Sequence, residues 1–306
     1  MKFYYLIIFL FSFHSHAAEV DNFTDRDAPL ADATDVLNQA ANDFLDQAIV
    51  SANKRGSCDK PRLYRAIKVR FRDRIEDKFS HFVHTSKLVP KRTTKIKDSI
   101  YADFTAMNSV IMGGLGMIYD SNAPVVKIHD VQMGGDKFEH FFGMGHFYFK
   151  RYYLRNQSIE KVLDFGMGTE TGILGRYMTG VISFADLAAN FKGMHFWNHL
   201  LREGDDVLPF EKKLGPYIRC EQGHWKRAQD VDLSLYVDNA WDESINCVLF
   251  SGQELLEKVQ SRLLRLPQQS CPISTDALNQ LTKIYGPYSS KVLNQKGHGV
   301  LTGPKN

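Results

Sequence analysis

The chain has 306 residues, of which 43% are hydrophobic, and its formal net charge at pH 7 is +3. This length accommodates one large domain or two small ones, and the apolar fraction is ordinary for a protein with a packed core. Because the net charge is small, a strongly electrostatic nucleic-acid binder is excluded, and no nucleic-acid partner is expected.

Residues 1–17 have the pattern of a secretory signal peptide. Lys2 supplies a positive charge, residues 3–13 form an uncharged apolar run, and Ser15-His16-Ala17 offers the small residues that a signal peptidase recognises. The run is shorter than the about 20 residues that cross a bilayer, although an uncleaved anchor is the alternative. No transmembrane segment is expected in the mature chain, which is predicted to be exported to the periplasm or the extracellular medium.

The four cysteines are Cys58, Cys220, Cys247 and Cys271. An even number of cysteines in an exported chain predicts two disulfides. Of the three possible pairings, Cys220–Cys247 with Cys58–Cys271 is favoured. A zinc site is the weaker interpretation, because no C-x-x-C pair is present.

Residues 18–33 are polar and acidic and are predicted to form a flexible lead-in. The part of the chain that follows has apolar residues at helical spacing. Apolar residues at helical spacing predict one helix across residues 37–48 and a second across residues 64–82. A further helix is expected through Ile100, Phe104 and Met107. Alternation then predicts a hairpin at residues 125–133, with His129 and Asp130 at its turn.

Three helices are predicted between residues 136 and 202, followed by a second hairpin whose turn contains residues 221–224. Two more helices are expected at residues 255–263 and 278–284, and residues 291–306 form a flexible tail. The predicted fold is mainly α: a multi-helix single globular domain at residues 34–290, disulfide-bonded, with one or two small β-hairpins.

Polar residues share helix stripes with apolar ones in the predicted helices. Asp136 and His140 lie four residues apart, as do Asp186 and Asn190, and Ser183 with Asp186 has the pattern of a helix start. Gly143 and Gly193 lie on these stripes and allow close approach of the helices. The expected result is a partly buried polar cluster, which Glu170 reaches from a glycine-rich segment. Such clusters either fix helix register or transfer protons.

The order Asp136-Lys137-x-x-His140, Glu170 and Asp186-x-x-x-Asn190-x-x-Gly193 resembles the signature of the VanZ-like family of bacterial membrane proteins. The chain is still more similar to an uncharacterised group of exported bacterial proteins, which shares the segments around these residues and the segment at 235–247. The resemblance covers residues 98–250 and implies a cell-envelope context. Unlike VanZ-like proteins, this chain does not have several membrane spans, and Gly172 and Ile173 follow its glutamate.

The favoured hypothesis is a peptidoglycan-directed hydrolase of the glycosidase or lysozyme type that uses a carboxylate pair. Glu170 is the expected acid and Asp186 its partner, and His140 orients one of them. The candidate catalytic residues are Glu170, Asp186, Glu139 and His140. The candidate binding residues are Lys137, Asn190, Asp136 and Tyr148, of which Tyr148 is expected to stack on a sugar or, alternatively, to pack in the core.

Two alternatives remain open at this point. The first is a non-catalytic periplasmic protein that binds the cell wall or has a structural role, in which the polar cluster is architectural. The second is a metal site formed by His140, His146, Glu170 and Asp186, although a six-residue separation of the histidines does not suit a helical metal pair. No cofactor and no metal are assigned.

Overall fold

The computed structural model describes residues 19–72, 77–105, 109, 121–172, 179–210 and 212–301. The predicted signal peptide lies outside these residues. Three helices come first: α1 at Thr34–Asn53, α2 at Lys60–Phe71 and α3 at Lys78–Thr85. Together with the helices that follow, they confirm a mainly α fold.

The single helix predicted across residues 64–82 is wrong, because the chain leaves the helical conformation after Phe71. Arg72 is extended, with φ −145° and ψ 122°, and forms a bridge with Asp77. Asp77 then accepts a hydrogen bond from the Ser80 amide and begins α3. The two helices keep the predicted apolar face, since Phe71 and Phe79 are both buried.

The first predicted hairpin is confirmed. Strands β1 (Val125–Ile128) and β2 (Val131–Gly134) pair in antiparallel register around residues 129 and 130. The helix expected through Ile100 and Phe104 is wrong: Ile96–Asp98 forms one 3-10 turn, and residues 99–103 continue in turns. Met107 lies outside the described residues.

Helix α4 runs continuously from residue 137 to residue 154 and changes its winding along the way. Its α-helical turns, Lys137–Glu139 and Gly145–Phe149, alternate with π-helical turns at His140–Met144 and Lys150–Leu154. In the first π turn the Gly145 amide donates to the carbonyl of His140, five residues earlier. This spacing brings His140 and Gly145, rather than Gly143, to the same side of the helix.

Helix α5 (Ile159–Thr171) begins after Ser158, and α6 (Phe184–Leu201) begins after Ser183. Both serine side chains accept a hydrogen bond from the amide three residues on, so the predicted helix start at Ser183 and Asp186 is confirmed. Every residue of α6 from Phe184 to Leu200 is buried. Because a fully buried helix must satisfy its polar side chains inside the protein, α6 dictates where the polar clusters form.

The remaining elements surround α6. The second predicted hairpin is confirmed as β4 (Ile218–Glu221) with β5 (His224–Arg227), and the last predicted helices are α7 (Gln253–Leu263) and α8 (Thr275–Tyr285). A short helix α9 (Ser289–Val292) follows. A small sheet that was not predicted has the order β3-β6-β7, formed by Val181–Ile182, Leu249–Phe250 and Gly299–Val300.

The two disulfides are confirmed, but the favoured pairing is wrong. Cys58 is bonded to Cys220, and Cys247 to Cys271. The β4–β5 hairpin lies against the end of α1, where the Asn53 side chain exchanges two hydrogen bonds with the backbone of Trp225. This docking brings Cys220 next to Cys58.

Both segments predicted to be flexible contain buried residues. In the lead-in, Val20 and Phe23 are buried, and Asp21 accepts hydrogen bonds from nearby backbone amides. In the tail, Leu293 and Asn294 are buried, and β7 lies beside β6. Among the described residues, no helix combines the length and the apolar character needed to cross a membrane.

Candidate functional site

The buried ammonium group of Lys137 lies at the centre of a cluster of carboxylates. Its Nζ is 2.7 Å from an oxygen of each of Asp136, Asp186 and Glu243, and its side chain has no solvent exposure. Lys137 donates hydrogen bonds to Asp136 and Glu243, and its third contact, with Asp186 Oδ1, is an ion pair. Lys137 and Asp136 were predicted as binding residues. In the structure Lys137 is fully buried at the centre of the cluster, and Asp136, with 14% of its side chain exposed, is one of its partners.

Three elements hold this cluster. Lys137 is in the first turn of α4, Asp186 is in the first turn of α6, and Glu243 follows the 3-10 turn Asn239–Trp241. Ser183 links two of them, because its hydroxyl accepts from the Asp186 amide and donates to Glu243 Oε1 at 2.6 Å. Ser183 therefore caps α6 and also attaches the start of this helix to Glu243, 60 positions later in the chain.

His140 forms the more exposed side of the cluster, with 22% of its side chain exposed. Its Nε2 lies 3.1 Å from Asp186 Oδ2, and its Nδ1 lies 3.2 Å from Asn190 Oδ1. Asn190 itself is fully buried one helical turn after Asp186. The predicted pairing of the two stripes is thus observed: His140 on α4 faces Asp186 and Asn190 on α6.

Glu170, near the end of α5, faces the same imidazole. Its Oε1 is 4.0 Å from His140 Nδ1, and only 8% of its side chain is exposed. No hydrogen-bond partner of this carboxyl is present among the described residues. Burial makes the ionised form of a carboxyl group costly, and this favours the protonated form of Glu170.

The pKa values of Glu170 and Asp186 move in opposite directions. Burial raises the pKa of Glu170 well above its usual range, and the negative charge of Asp186 raises it further. Burial also disfavours the ionised form of Asp186, but His140 and Lys137 outweigh it and lower the pKa of this carboxyl. Neighbouring carboxyl groups with opposite shifts are the usual arrangement of an acid and its ionised partner.

The interior of the cluster carries more carboxyl groups than cations. Burial opposes protonation of Lys137, yet Asp136, Asp186 and Glu243 outweigh it and raise the pKa of this amine. Burial raises the pKa of Glu243 to about 7, while Lys137 acts in the opposite direction. Glu243 Oε2 has no hydrogen-bond partner in the described part of the chain, whereas Oε1 receives both Lys137 and Ser183.

The Glu243 shift predicts how stability depends on pH. Because the folded-state pKa is raised from 4.5 to about 7, its contribution is present below about pH 4.5 and is lost as the pH rises toward 7. At 1.4 kcal/mol per pKa unit, the loss is about 3 kcal/mol. We expect Glu243→Gln to decline less in stability between pH 4.5 and 7 than the parent, measured by urea denaturation. Parallel pH profiles of the two proteins would contradict this assignment.

Glu139, one of the predicted catalytic residues, does not join the cluster. Its carboxylate points toward the end of α2, where Oε1 lies 3.8 Å from Arg72 Nη2. It also raises the pKa of Asp77, after the larger effect of burial on that group. Residues 139 and 140 lie about a quarter to a third of a turn apart on a helix, and only His140 faces α6.

Tyr148 is fully buried, so its expected role of stacking on a sugar is wrong and the core-packing alternative is observed. A Cβ added at Gly166 of α5 would lie 1.5 Å from its hydroxyl. Trp197 is also fully buried and donates from Nε1 to the carbonyl of Phe142. Both residues hold α4 against neighbouring helices.

Sequence reasoning missed Glu243, Ser183 and Glu19 as members of the cluster. Glu243 lies in the segment at residues 235–247, and only 2% of it is exposed. Burial raises the pKa of Glu19, and Glu243 and Asp186 raise it further, so this residue of the lead-in lies close to the cluster. The shared segment at residues 235–247 was the available signal for Glu243, because an acidic residue there is flanked by Trp241 and Ile245.

Metal-binding donors are present on the His140 side. One nitrogen of His140 and one oxygen each of Glu170 and Asp186 lie within 4.8 Å of one another. His146 does not join them, since it packs on Trp197 with ring centroids 4.5 Å apart. To bind a cation, Glu170 must lose its proton. Around Asp136, Asp186 and Glu243 the Lys137 ammonium already occupies the position of a cation.

Comparison of this chain with protein-family models, with curated proteins and with solved structures gave no match. The class of protein is therefore defined by the fold and the site: a mainly α, disulfide-bonded protein with a buried lysine–carboxylate cluster and a histidine at its edge. The two carboxyl groups that this histidine faces are the candidates for its chemistry.

Proposed function

We propose that this chain is a hydrolase of the bacterial cell envelope that cleaves glycosidic bonds of peptidoglycan, with Glu170 as the acid and Asp186 as its partner. Two disulfides support export, because such bonds persist in oxidising compartments. The VanZ-like arrangement of Lys137, His140, Glu170 and Asp186 supports the envelope context. This arrangement is a resemblance in motif order and implies no membrane span.

The observation that carries the proposal is the opposite shift of two adjacent carboxyl pKa values. Burial keeps a proton on Glu170, and this proton is available for the oxygen of a leaving group. Lys137 and His140 keep Asp186 ionised in spite of its burial. A glycosidase needs one carboxyl in each of these states at the same pH.

The spacing of the two carboxyl groups favours a retaining mechanism. An oxygen of Glu170 and one of Asp186 lie within 4.8 Å of each other, which is below the about 6.5–9.5 Å that separates the carboxyl groups of inverting enzymes. Asp186 then attacks the anomeric carbon as the glycosidic C–O bond breaks, and Glu170 gives its proton to the departing oxygen. In the second step Glu170 takes a proton from water, whose oxygen displaces Asp186 and releases the sugar.

His140 connects this pair to solvent. It is the most exposed of the three side chains, at 22%, against 8% for Glu170 and 10% for Asp186. Its contact with Asn190 orients the ring, so that Nε2 points at Asp186. In this arrangement His140 holds Asp186 in position and lies where a ligand would enter.

We expect Glu170→Gln to reduce cell-wall hydrolysis by about 10²–10⁴-fold, the contribution of a general acid. Glutamine has the shape of the protonated side chain and cannot donate a proton to a leaving group, so packing should be preserved and the Tm should stay within a few degrees of the parent. The measurement is release of reducing ends from purified peptidoglycan, together with thermal denaturation of the same preparations.

Glu139→Gln is the matched control, because it changes the same kind of side chain 31 positions earlier, outside the cluster. It should retain the parent's activity. The proposal fails if the purified parent releases no reducing ends from peptidoglycan, or if Glu170→Gln is as active as Glu139→Gln.

A specific observation also favours the architectural alternative, in which the chain binds the cell wall without cleaving it. The buried Lys137 joins α4, α6 and the Glu243 segment. Fixing the register of these elements is a sufficient role for such a network, without any catalysis. This alternative predicts a parent that binds peptidoglycan in a pull-down assay and releases no reducing ends.

A further inference from the structure

A groove separate from the Lys137 cluster lies between α2 and α4. Its volume is about 530 Å³, within the range of small-molecule sites. Lys60, Tyr64 and Lys68 of α2 form one wall, and His146, Lys150 and Leu154 of α4 form the other. Each set is spaced by four residues, so that one stripe of each helix faces the groove.

Positive charge predominates in this groove. Lys60, Arg65, Lys68 and Lys150 line it, and Glu203 is its acidic member. The Glu203 carboxylate already accepts from Lys60 Nζ at 3.0 Å and from the Tyr64 hydroxyl at 2.9 Å. Neither Arg65 nor Lys150 has an acidic partner in the part of the chain that the structure describes. Among the described residues, Arg65 and Lys150 are therefore two cations without an acidic partner beside a space of ligand size.

A buried polar group also lines the groove. His146 is only 7% exposed, and its Nδ1 has no hydrogen-bond partner among the described residues. Burial, together with the positive charges of Lys68, Lys150 and Arg72, lowers the pKa of His146 to about 3. A neutral imidazole offers one donor and one acceptor to a ligand, and the neighbouring cations supply the charge.

Apolar side chains lie beside the cations. Leu154 is 46% exposed and Phe147 is 42% exposed, which is unusual for large hydrophobic residues in this protein. The Lys68 ammonium lies 5.8 Å from the centre of the Phe147 ring. A ligand that suits this surface therefore combines a compact anionic group with an apolar portion.

We propose that this groove binds a phosphorylated amphiphile, with the phosphate between Lys68 and Lys150 and the apolar portion on Leu154 and Phe147. A phosphate carries up to two negative charges and three acceptor oxygens, which match several cations better than a single carboxylate does. Arg65 adds the planar donor pair that suits phosphate oxygens. The site does not depend on the proposed hydrolase activity, since it shares no residue with it.

The test uses the full disulfide-bonded protein and three probes: inorganic phosphate, dihexanoyl phosphatidic acid below its micellar concentration, and phosphatidylcholine vesicles with or without phosphatidylglycerol. Calorimetry measures affinity for the first two, and co-sedimentation measures vesicle binding. We expect the short-chain lipid to bind more tightly than inorganic phosphate. Loss of two charge-assisted contacts in Lys68→Glu/Lys150→Glu should weaken its binding at least about tenfold.

Two further variants test whether the binding depends on charge in the groove. Lys283→Glu makes one such charge reversal at an exposed position of α8 and should leave the affinity unchanged. Glu203→Gln removes the carboxylate of the groove and should strengthen binding. Phosphate occupancy should also raise the pKa of His146, read from its imidazole NMR signals, because the anion offsets the charges of Lys68 and Lys150.

Binding of the monomeric lipid identifies a free phosphorylated amphiphile as the ligand, and binding only to anionic vesicles identifies a membrane headgroup. Both results support the groove, provided that the double variant loses them. The inference is overturned if no probe binds, if Lys68→Glu/Lys150→Glu binds as the parent does, or if binding leaves the His146 signals unchanged.

Discussion

Replacing Lys137 by methionine should reduce the free energy of unfolding at pH 7 by about 3–5 kcal/mol, the cost of removing one member of a buried charge network. Asp136, Asp186 and Glu243 would lose an ammonium group that lies 2.7 Å from each of them. Methionine preserves most of the side-chain volume, so the loss reports on charge. Urea denaturation followed by far-UV circular dichroism measures it.

Lys291→Met is the matched control, because its ion pair with Asp164 is exposed at the surface. That pair should contribute less than about 1 kcal/mol. Lowering the pH should reduce the difference in the free energy of unfolding between the parent and Lys137→Met, since protonated carboxyl groups no longer need a counter-charge. If Lys137→Met lowers the free energy of unfolding by less than about 1 kcal/mol at pH 7, the stability of the cluster does not depend on Lys137.

The second large effect is expected from Gly193→Ala, at the closest approach of α4 and α6. A Cβ at residue 193 would lie 2.1 Å from the carbonyl oxygen of Phe141 and 2.8 Å from its carbonyl carbon. These are backbone atoms, so α4 must move as a whole, carrying Lys137 and His140 with it. We expect a loss of about 3 kcal/mol or more in the free energy of unfolding, at the upper end of overpacking effects.

Gly168→Ala provides the control for helix propensity. Gly168 lies within α5, and a Cβ there would meet no atom within 4 Å. Alanine at such a position should stabilise the protein by about 0.5–1 kcal/mol. Thermal and urea denaturation of both variants distinguishes the steric effect at residue 193 from the effect of alanine on helix propensity. A Gly193→Ala protein as stable as the parent would exclude a tight α4–α6 contact.

The polar cluster was predictable to the extent that it follows local spacing. Asp136 with His140 and Asp186 with Asn190 share helix stripes, and the Ser183 cap was evident from its separation from Asp186. These relations depend on neighbours within one or two helical turns, which a regular helix determines. That Glu139 lies outside the cluster was not evident, because its partner Arg72 comes from the end of a different helix.

The winding of α4 was also not predictable from spacing. Regular α-helical geometry placed Gly143 against α6, whereas in the structure a Cβ at Gly143 would meet Arg72 and one at Gly145 would lie 2.6 Å from the Gly193 Cα atom. The π turn at His140–Met144 accounts for this difference, since it changes the repeat from about four residues to about five.

By itself, the sequence determined the helical class, the two hairpins, the helix cap at Ser183 and the presence of two disulfides, because periodicity, turn residues and cysteine number act locally. Only the tertiary structure decided the disulfide pairing, the end of α2 at Phe71 and the recruitment of Glu243 to Lys137. These features join residues separated by up to 162 positions, or depend on how closely two backbone segments can approach each other. Packing around the buried helix α6 sets those distances, since its polar side chains must find partners from other parts of the chain.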